Sequence, residues 1–396
     1  MLNIIFLGLV SFFTDLSTEM VYPLIPLYLT TAFGATPALV GIIEGIAESA
    51  ASLLKVFSGY ITDRFQKKKA TAFAGYAPGV LYKLALLFAG SWVGILGARV
   101  LDRIGKGIRT APRDMLVSES ADKSSMGKAF GIHKALDMSG AALGILLTYF
   151  ILRGTGSDFD YKKMFLLSII PAAIGLCMFF FIKEKRKPRP IKTREPFWKN
   201  VRKVDGQLRL YLVVVFLFTL GNSSNAFIIL KANSVGFDTM SVILLYFIYN
   251  ITASVLSIPF GKLSDHIGRK KLLVPGYLAF SLCYIGFAFA SSQWIMVVVF
   301  VIYGAYTAMI AGVERAFVAE ISPPELKGTM LGLHSTVAGI TLLPASIIAG
   351  FLWSAFGTAV PFVFGAALSL IAALILILFM KPAQNTITQD YGGNIR

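Results

Sequence analysis

Gly59-Tyr-Ile-Thr-Asp63-Arg64-Phe-Gln-Lys67-Lys68-Lys69 recurs 202 residues later as Gly261-Lys-Leu-Ser-Asp265-His266-Ile-Gly-Arg269-Lys270-Lys271. Each copy separates two long apolar runs. Further along, Gly127 through Gly131-Ile-His133 returns as Gly328 through Gly332-Leu-His334, and Glu119 returns as Glu320, at an offset of 201. Two independent matches at nearly one offset imply a chain made of two related halves. In membrane proteins built this way, the binding site lies at the repeat interface.

The runs between these loops set the solvent. Of 396 residues, 56% are apolar and only 15% are charged, and the mean hydropathy is +0.71. A soluble domain would carry roughly 25% charged residues. A bilayer core of about 30 Å is crossed by about 20 apolar residues in a helix. Runs of that kind fall near 4–30, 38–62, 71–90, 92–114, 127–152 and 163–182, then near 210–231, 239–261, 272–291, 293–319, 328–353 and 358–380. They are continuous rather than alternating, which favours helices over a barrel. The expected fold is an all-α integral membrane protein of twelve spans in two pseudo-symmetric six-helix bundles. The N-terminal bundle would span 1–182, a basic linker 183–209, the C-terminal bundle 210–381, and a tail 382–396.

Charge in the loops orients the chain. The linker holds eleven Lys/Arg against three Asp/Glu, half of the net charge of +16. The loops near 31–37, 90–91, 292 and 354–357 hold no charge at all. Basic loops stay in the cytoplasm, so the expectation is a multi-pass protein of the cell (inner) membrane with both termini cytoplasmic. The linker would also meet anionic headgroups of the lipid bilayer. The positive charge lies in short blocks between apolar runs, which excludes a basic nucleic-acid-binding domain. Cys177 and Cys283 sit inside apolar runs and read as inert core thiols. No Walker loop, HExxH or GxSxG motif is present, so no enzyme, cofactor or metal is expected.

Ionisable residues inside spans are costly and mark function. Asp15 and Glu19 share a face of span 1, Glu44 and Glu48 of span 2, and Arg99 and Arg103 of span 4, with Asp102 beside them. Lys134 and Asp137 follow on span 5, and Lys83 stands alone in span 3. The second half is more neutral, with Asn222, Asn225 and Lys231 on span 7 and Glu314-Arg315 on span 10. A rise of 1.5 Å per residue sets Asp15, Arg103 and Asp137 at one depth, where they are expected to meet. Glu19 and Glu48 share a level further out. Lys106, Arg109 and Arg113 approach the loop side, where they are expected to snorkel or sit in water. The aromatic residues Phe12, Phe13, Tyr22, Tyr246, Tyr249, Tyr303 and Tyr306 either line an amphiphile pocket or pack between helices. His133 and His334 read as packing or gate residues.

Twelve spans, a long central loop and the duplicated Gly-x-x-x-Asp-Arg/His loop resemble the major facilitator superfamily over nearly the whole chain. Gln66 departs from the signature, which has Gly there. Thr14-Asp15-Leu-Ser-Thr-Glu19-Met-Val-Tyr22-Pro23 and Leu101-Asp102-Arg103-Ile-Gly-Lys-Gly107-Ile-Arg109-Thr-Ala-Pro112-Arg113-Asp114 resemble a branch of prokaryotic exporters and permeases. The resemblance implies that Gly59 and Gly261 let spans 2 and 8 pack tightly on the opposite half. It also implies that Asp63, Arg64, Asp265 and Arg269 make switchable contacts at a cytoplasmic gate. Arg103 and Gly107 fit an Arg-x-x-x-Gly pattern associated with proton transfer. Gly140 and Gly144 match a glycine-rich fifth span of exporters, although Ile145 stands where such exporters have Pro.

The function expected from these residues is secondary active transport by alternating access in a monomer. One reading is a proton-coupled antiporter for efflux of a small amphiphilic or cationic compound, favoured by four carboxylates on spans 1 and 2. The other is an uptake symporter for a small organic solute whose anionic group pairs with Arg103 or Arg315. Asp15, Glu19, Glu48, Arg103, Asp137, Asn222, Asn225, Glu314 and Arg315 are the candidate solute- and ion-binding residues. Protons or sodium are the coupling ions.

Overall fold

The computed structural model describes residues 2–65, 68–120, 126–153, 160–184, 206–310, 312–322 and 327–380. Most of the linker and the whole tail 382–396 lie outside that set. Among the described residues there is no strand, and the helices form twelve spans. The first half contains α1 (Leu2–Glu19 and Leu24–Phe33), α2 (Pro37–Phe65), α3 (Lys68–Tyr76 and Pro78–Phe88), α4 (Trp92–Glu119), α5 (Met126–Arg153) and α6 (Tyr161–Met178). The second contains α7 (Gly206–Gly221 and Ala226–Ser234), α8 (Thr239–Ile267), α9 (Arg269–Phe289), α10 (Gln293–Ile310 and Val313–Ile321), α11 (Lys327–Phe356) and α12 (Val360–Phe379).

Eleven of these are apolar enough to cross a membrane by composition alone. The twelfth is α4, which is too rich in charged residues for that test; several of those charges line the inside of the bundle rather than facing outward. Cys283 is buried as expected, but Cys177 is exposed on α6 and faces the lipid side rather than a core.

The repeat is visible in the irregularities as well. α1 breaks at residues 20–23 and α7 at residues 222–225, again 202 apart. Pro23 lacks the amide hydrogen that a continuous helix needs. In α7 the polar run Asn222-Ser-Ser-Asn225 competes for the backbone, and Ser224 Oγ accepts from the Ala226 amide at 3.2 Å. Between α8 and α9 the chain turns at Gly268 with φ 92°, a conformation that glycine adopts without a steric penalty.

The halves meet along α2 and α11. A Cβ on Gly41 would strike the Ser346 carbonyl, and one on Gly350 would press on Ala38 at 2.7 Å. Ser49 Oγ donates to the Gly339 carbonyl at 2.8 Å, and Ser354 Oγ accepts from the Ala38 amide at 3.2 Å. The small residues let two backbones approach closely, the usual way helices associate in lipid.

Candidate functional site

A cavity of about 500 Å³ lies between the halves. Its walls come from α1, α2, α4 and α5 on one side and from α7, α8 and α10 on the other. Glu44, past its deep end, is 1% exposed, whereas on its wall Glu48 is 28%, Asp114 45% and Lys134 63% exposed. The cavity is therefore sealed beyond Glu44 and opens toward the end of the bundle that carries the basic loops. From Asp102 to Asp114 it runs for about 18 Å along α4 at 1.5 Å per residue.

The charged wall is built in register. α2 and α4 run in parallel, and Glu44 meets Arg99 as Glu48 meets Arg103, each pair 55 residues apart. Arg99 donates twice to Glu44, from Nε at 2.9 Å and from Nη2 at 2.7 Å. Arg103 reaches Glu48 at 3.0 Å. Asp102 lies 3.8 Å from both guanidinium groups, and the ring of Tyr22 sits 5.1 and 5.8 Å from them. Ser224 of the second half donates weakly to Glu44 at 3.4 Å, so the sealed end includes one polar contact across the halves.

The second charged group lies between α1 and α5. A Cβ on Gly140 would overlap the Phe12 carbonyl, and one on Gly144 would overlap the Leu16 carbonyl. That seam draws the two backbones together and brings Asp15 and Asp137 within hydrogen-bonding reach of each other. Lys134 also binds Asp137, at 2.7 Å. Lys106 and Arg109 face the Asp15 carboxyl from α4.

Seven of the nine candidate binding residues line the cavity: Asp15, Glu19, Glu48, Arg103, Asp137, Asn225 and Arg315. Asn222 and Glu314 do not. Asn222 donates to the Tyr306 hydroxyl at 3.1 Å. Glu314 accepts from Tyr277 at 2.8 Å and lies 3.9 Å from His334. Asp15 and Asp137 meet, but Arg103 does not join them, because Glu48 on the neighbouring helix holds it. Lys106, Arg109 and Arg113 line the cavity rather than snorkelling outward. Tyr22 and Tyr246 reach the cavity, whereas Tyr249, Tyr303 and Tyr306 pack on one another with tilted rings. His133 hydrogen-bonds Ser11 at 3.0 Å. Lys55 and Asn250 line the cavity without having been anticipated. Lys55 lies seven residues past Glu48, on the same helical face, and Asn250 is a polar residue in an apolar span. Both signals were present in the sequence.

At the basic-loop end, the side chains of Gly59, Asp63, Arg64 and Asp265 lie outside the described residues. Among the described residues, a Cβ on Gly261 would meet nothing within 4 Å, so the close packing anticipated there is not seen among them; Gly261 borders a small pocket between α8 and α10 of its own half. The basic residues have defined partners. Lys68 pairs with Glu119 at 2.6 Å, and Arg269 with Glu320 at 2.8 Å. One position on, Lys69 donates to the Ile182 carbonyl at 2.6 Å, and Lys270 donates to that of Met380. The two ion pairs and the two lysines repeat at an offset of 201, one residue away from the register of the loop motif, while the accepting carbonyls are 198 apart.

Two bundles with a duplicated loop and a charged cavity between them match the profile of the Major Facilitator Superfamily over residues 7–230 and 210–392. The chain belongs to this superfamily. An uncharacterized MFS-type transporter of Methanocaldococcus jannaschii is 37% identical over 382 residues, covering 95% of this chain and 94% of that one. Multidrug resistance protein 2 of Bacillus subtilis is 28% identical over 132 residues, a third of each chain. Among solved structures, a nucleoside transporter NupG variant superposes with a TM-score of 0.81 at 12% identity, covering 96% of this chain and all of that one. A D-xylose–proton symporter superposes with a TM-score of 0.76 at 17% identity, covering 96% and 98%. At these identities the structures establish the fold alone. The chain is a multi-pass membrane protein of a transporter superfamily.

Proposed function

We propose that this superfamily member is a monomeric, proton-coupled secondary transporter of a small solute, working by alternating access with its basic-loop end in the cytoplasm. The observation that carries the reading is that Asp15 and Asp137 lie together on the cavity wall, across the seam where Gly140 and Gly144 of α5 touch α1. Two carboxyl groups hydrogen-bond to each other only when one of them holds a proton, because a carboxylate has no donor. Gaining or losing that proton changes how α1 and α5 hold together. The surrounding charges are Lys134 on α5 and Lys106, Arg109 and Arg113 on α4, and they set how the remaining negative charge is balanced. The basic loops support the orientation. They also support a gate in which Lys68–Glu119 and Arg269–Glu320 brace each half.

The test needs no known solute. Spin labels at Ala70 and Lys262, with Cys177 and Cys283 replaced, report the separation of the halves at the basic-loop end. The distance distribution of the otherwise unaltered protein is expected to shift between pH 5.5 and pH 8. Asp15→Asn and Asp137→Asn are expected to remove that shift. A shift that persists unchanged in both variants removes the pair from proton coupling.

A further inference from the structure

We infer that the cavity holds an anionic group of its solute, such as a carboxylate or phosphate, between Lys106 and Arg109 of one half and Arg315 of the other. The inference rests on the alternating-access reading and adds the solute's charge. It begins with the ladder between α2 and α4. Glu44 and Glu48 neutralise Arg99 and Arg103, but α2 then supplies Ala51 and Ser52 instead of a third carboxylate. A Cβ on Gly107 would press on Leu54 at 2.6 Å and on the Ala51 carbonyl at 2.9 Å. The helices touch at that level, and the cation stripe of α4 continues past the last carboxylate.

Lys106 lines the cavity and makes no ion pair with a described residue. Arg109 is 5% exposed, and its Nη1 is buried without a hydrogen-bond partner. Its guanidinium is packed 4.8 Å from the Tyr76 ring, which fixes it in place. Most nearby carboxylates have other partners: Glu48 binds Arg103, Asp102 lies between Arg99 and Arg103, Asp114 binds Arg113, and Asp137 binds Lys134; Asp15 faces Lys106 and Arg109 but forms no ion pair with either among the described residues. Glu19, whose Oε2 also lacks a partner, stands deeper, at the break in α1. Arg315 is exposed into the same cavity from α10. Unpaired cations at membrane depth are costly unless water or a ligand compensates them. An anion reaching both halves would supply that compensation and would favour their closing around it.

This placement also links solute to proton. Lys106 and Arg109 are the cations that face Asp15. An anion that engages them withdraws them from Asp15, so anion and proton bind better together than separately, and the coupling is reciprocal. Both species then move in the same direction, which is symport.

The test places a thiol at Thr110, one turn from Lys106 on the cavity wall, in the background lacking Cys177 and Cys283. Its reaction rates with a sulfonate-bearing and a trimethylammonium-bearing methanethiosulfonate are each normalised to a free thiol. A cavity with unneutralised cations is expected to favour the anionic reagent by about tenfold or more. Lys106→Gln is expected to reduce that preference, and millimolar benzoate, phosphate or sulfate is expected to slow the reaction. A normalised ratio near one, a preference for the cationic reagent, or no slowing by any of the three anions overturns the inference. A monodisperse peak and a cooperative thermal transition matching the unaltered protein establish that the variant is folded before its rates are compared. In sealed vesicles of both orientations, the same thiol is expected to react from either face. Reaction from one face only would sink alternating access and leave the charge preference standing.

Discussion

Arg99 clasps Glu44 with two hydrogen bonds between α2 and α4, and the two side chains are 0% and 1% exposed. Glu44→Gln would leave the buried Arg99 guanidinium with only Asp102, 3.8 Å away and shared with Arg103, as a counter-charge. Removing one partner of such a pair costs about 3–5 kcal/mol. The expected result is a clear drop in thermal unfolding temperature in detergent, with Glu44→Gln/Arg99→Met recovering part of it. A single variant that unfolds at the unaltered temperature would show that the pair carries no stability.

Gly140 is where α5 touches the backbone of α1. Gly140→Ala drives a methyl group into the Phe12 carbonyl, and overpacking of this kind costs about 1–3 kcal/mol. The larger expected effect is on geometry, because Asp15 and Asp137 would separate. The pH-dependent change in distance between labels at positions 70 and 262 should shrink in Gly140→Ala. In Gly97→Ala, where a Cβ meets nothing within 4 Å, it should not. Equal behaviour of the two variants would count against the seam.

Lys68–Glu119 and Arg269–Glu320 occupy equivalent places in the two halves. Glu320→Gln is expected to cost less than about 1 kcal/mol of stability, since partly exposed pairs contribute little, and Glu119→Gln more than that, because its partner Lys68 is buried. Each should nevertheless broaden the distance distribution at the basic-loop end. Distributions identical to that of the unaltered protein in both variants would leave these pairs without a role in the gate.

Orientation is checked by labelling intact cells with an impermeant thiol reagent. Thr36→Cys, at an exposed position in the loop between α1 and α2, should react from outside. Asn200→Cys, in the basic linker, should not. The reverse pattern would invert the topology.

Much of this was legible in the residues. Twelve apolar runs and a doubled loop specified the two bundles, and counting 1.5 Å per residue placed Asp15 and Asp137 at one depth. The same count placed Arg103 there too, and the structure pairs it elsewhere. Depth gives the level of a side chain but not its azimuth, nor which helix stands beside it. The sequence leaves the direction of Lys106, Arg109 and Arg113 open, because a cation near a loop looks the same whether it points to headgroups or into a cavity. Asn222 and Glu314 failed for a related reason. Polar groups in a span must be satisfied, but Tyr306 and Tyr277 do that as well as a solute would. The equivalence of Lys68 and Arg269 was hidden by a one-residue shift in the loop motif.

The charge ladder also constrains how the chain is made. Each Arg or Asp at the centre of a helix opposes partition into lipid by roughly 2.5–3.5 kcal/mol, and α4 brings Arg99, Asp102 and Arg103 there together. Left to itself, it is a poor substrate for the insertion machinery. Its counter-charges, Glu44 and Glu48, lie on α2, which emerges from the ribosome first. α4 therefore enters the bilayer most readily as a late arrival onto an already inserted neighbour, so its biogenesis is cooperative and ordered from the N-terminus. In that order Glu44 and Glu48 await the incoming α4, and only Glu48 goes on to line the finished cavity.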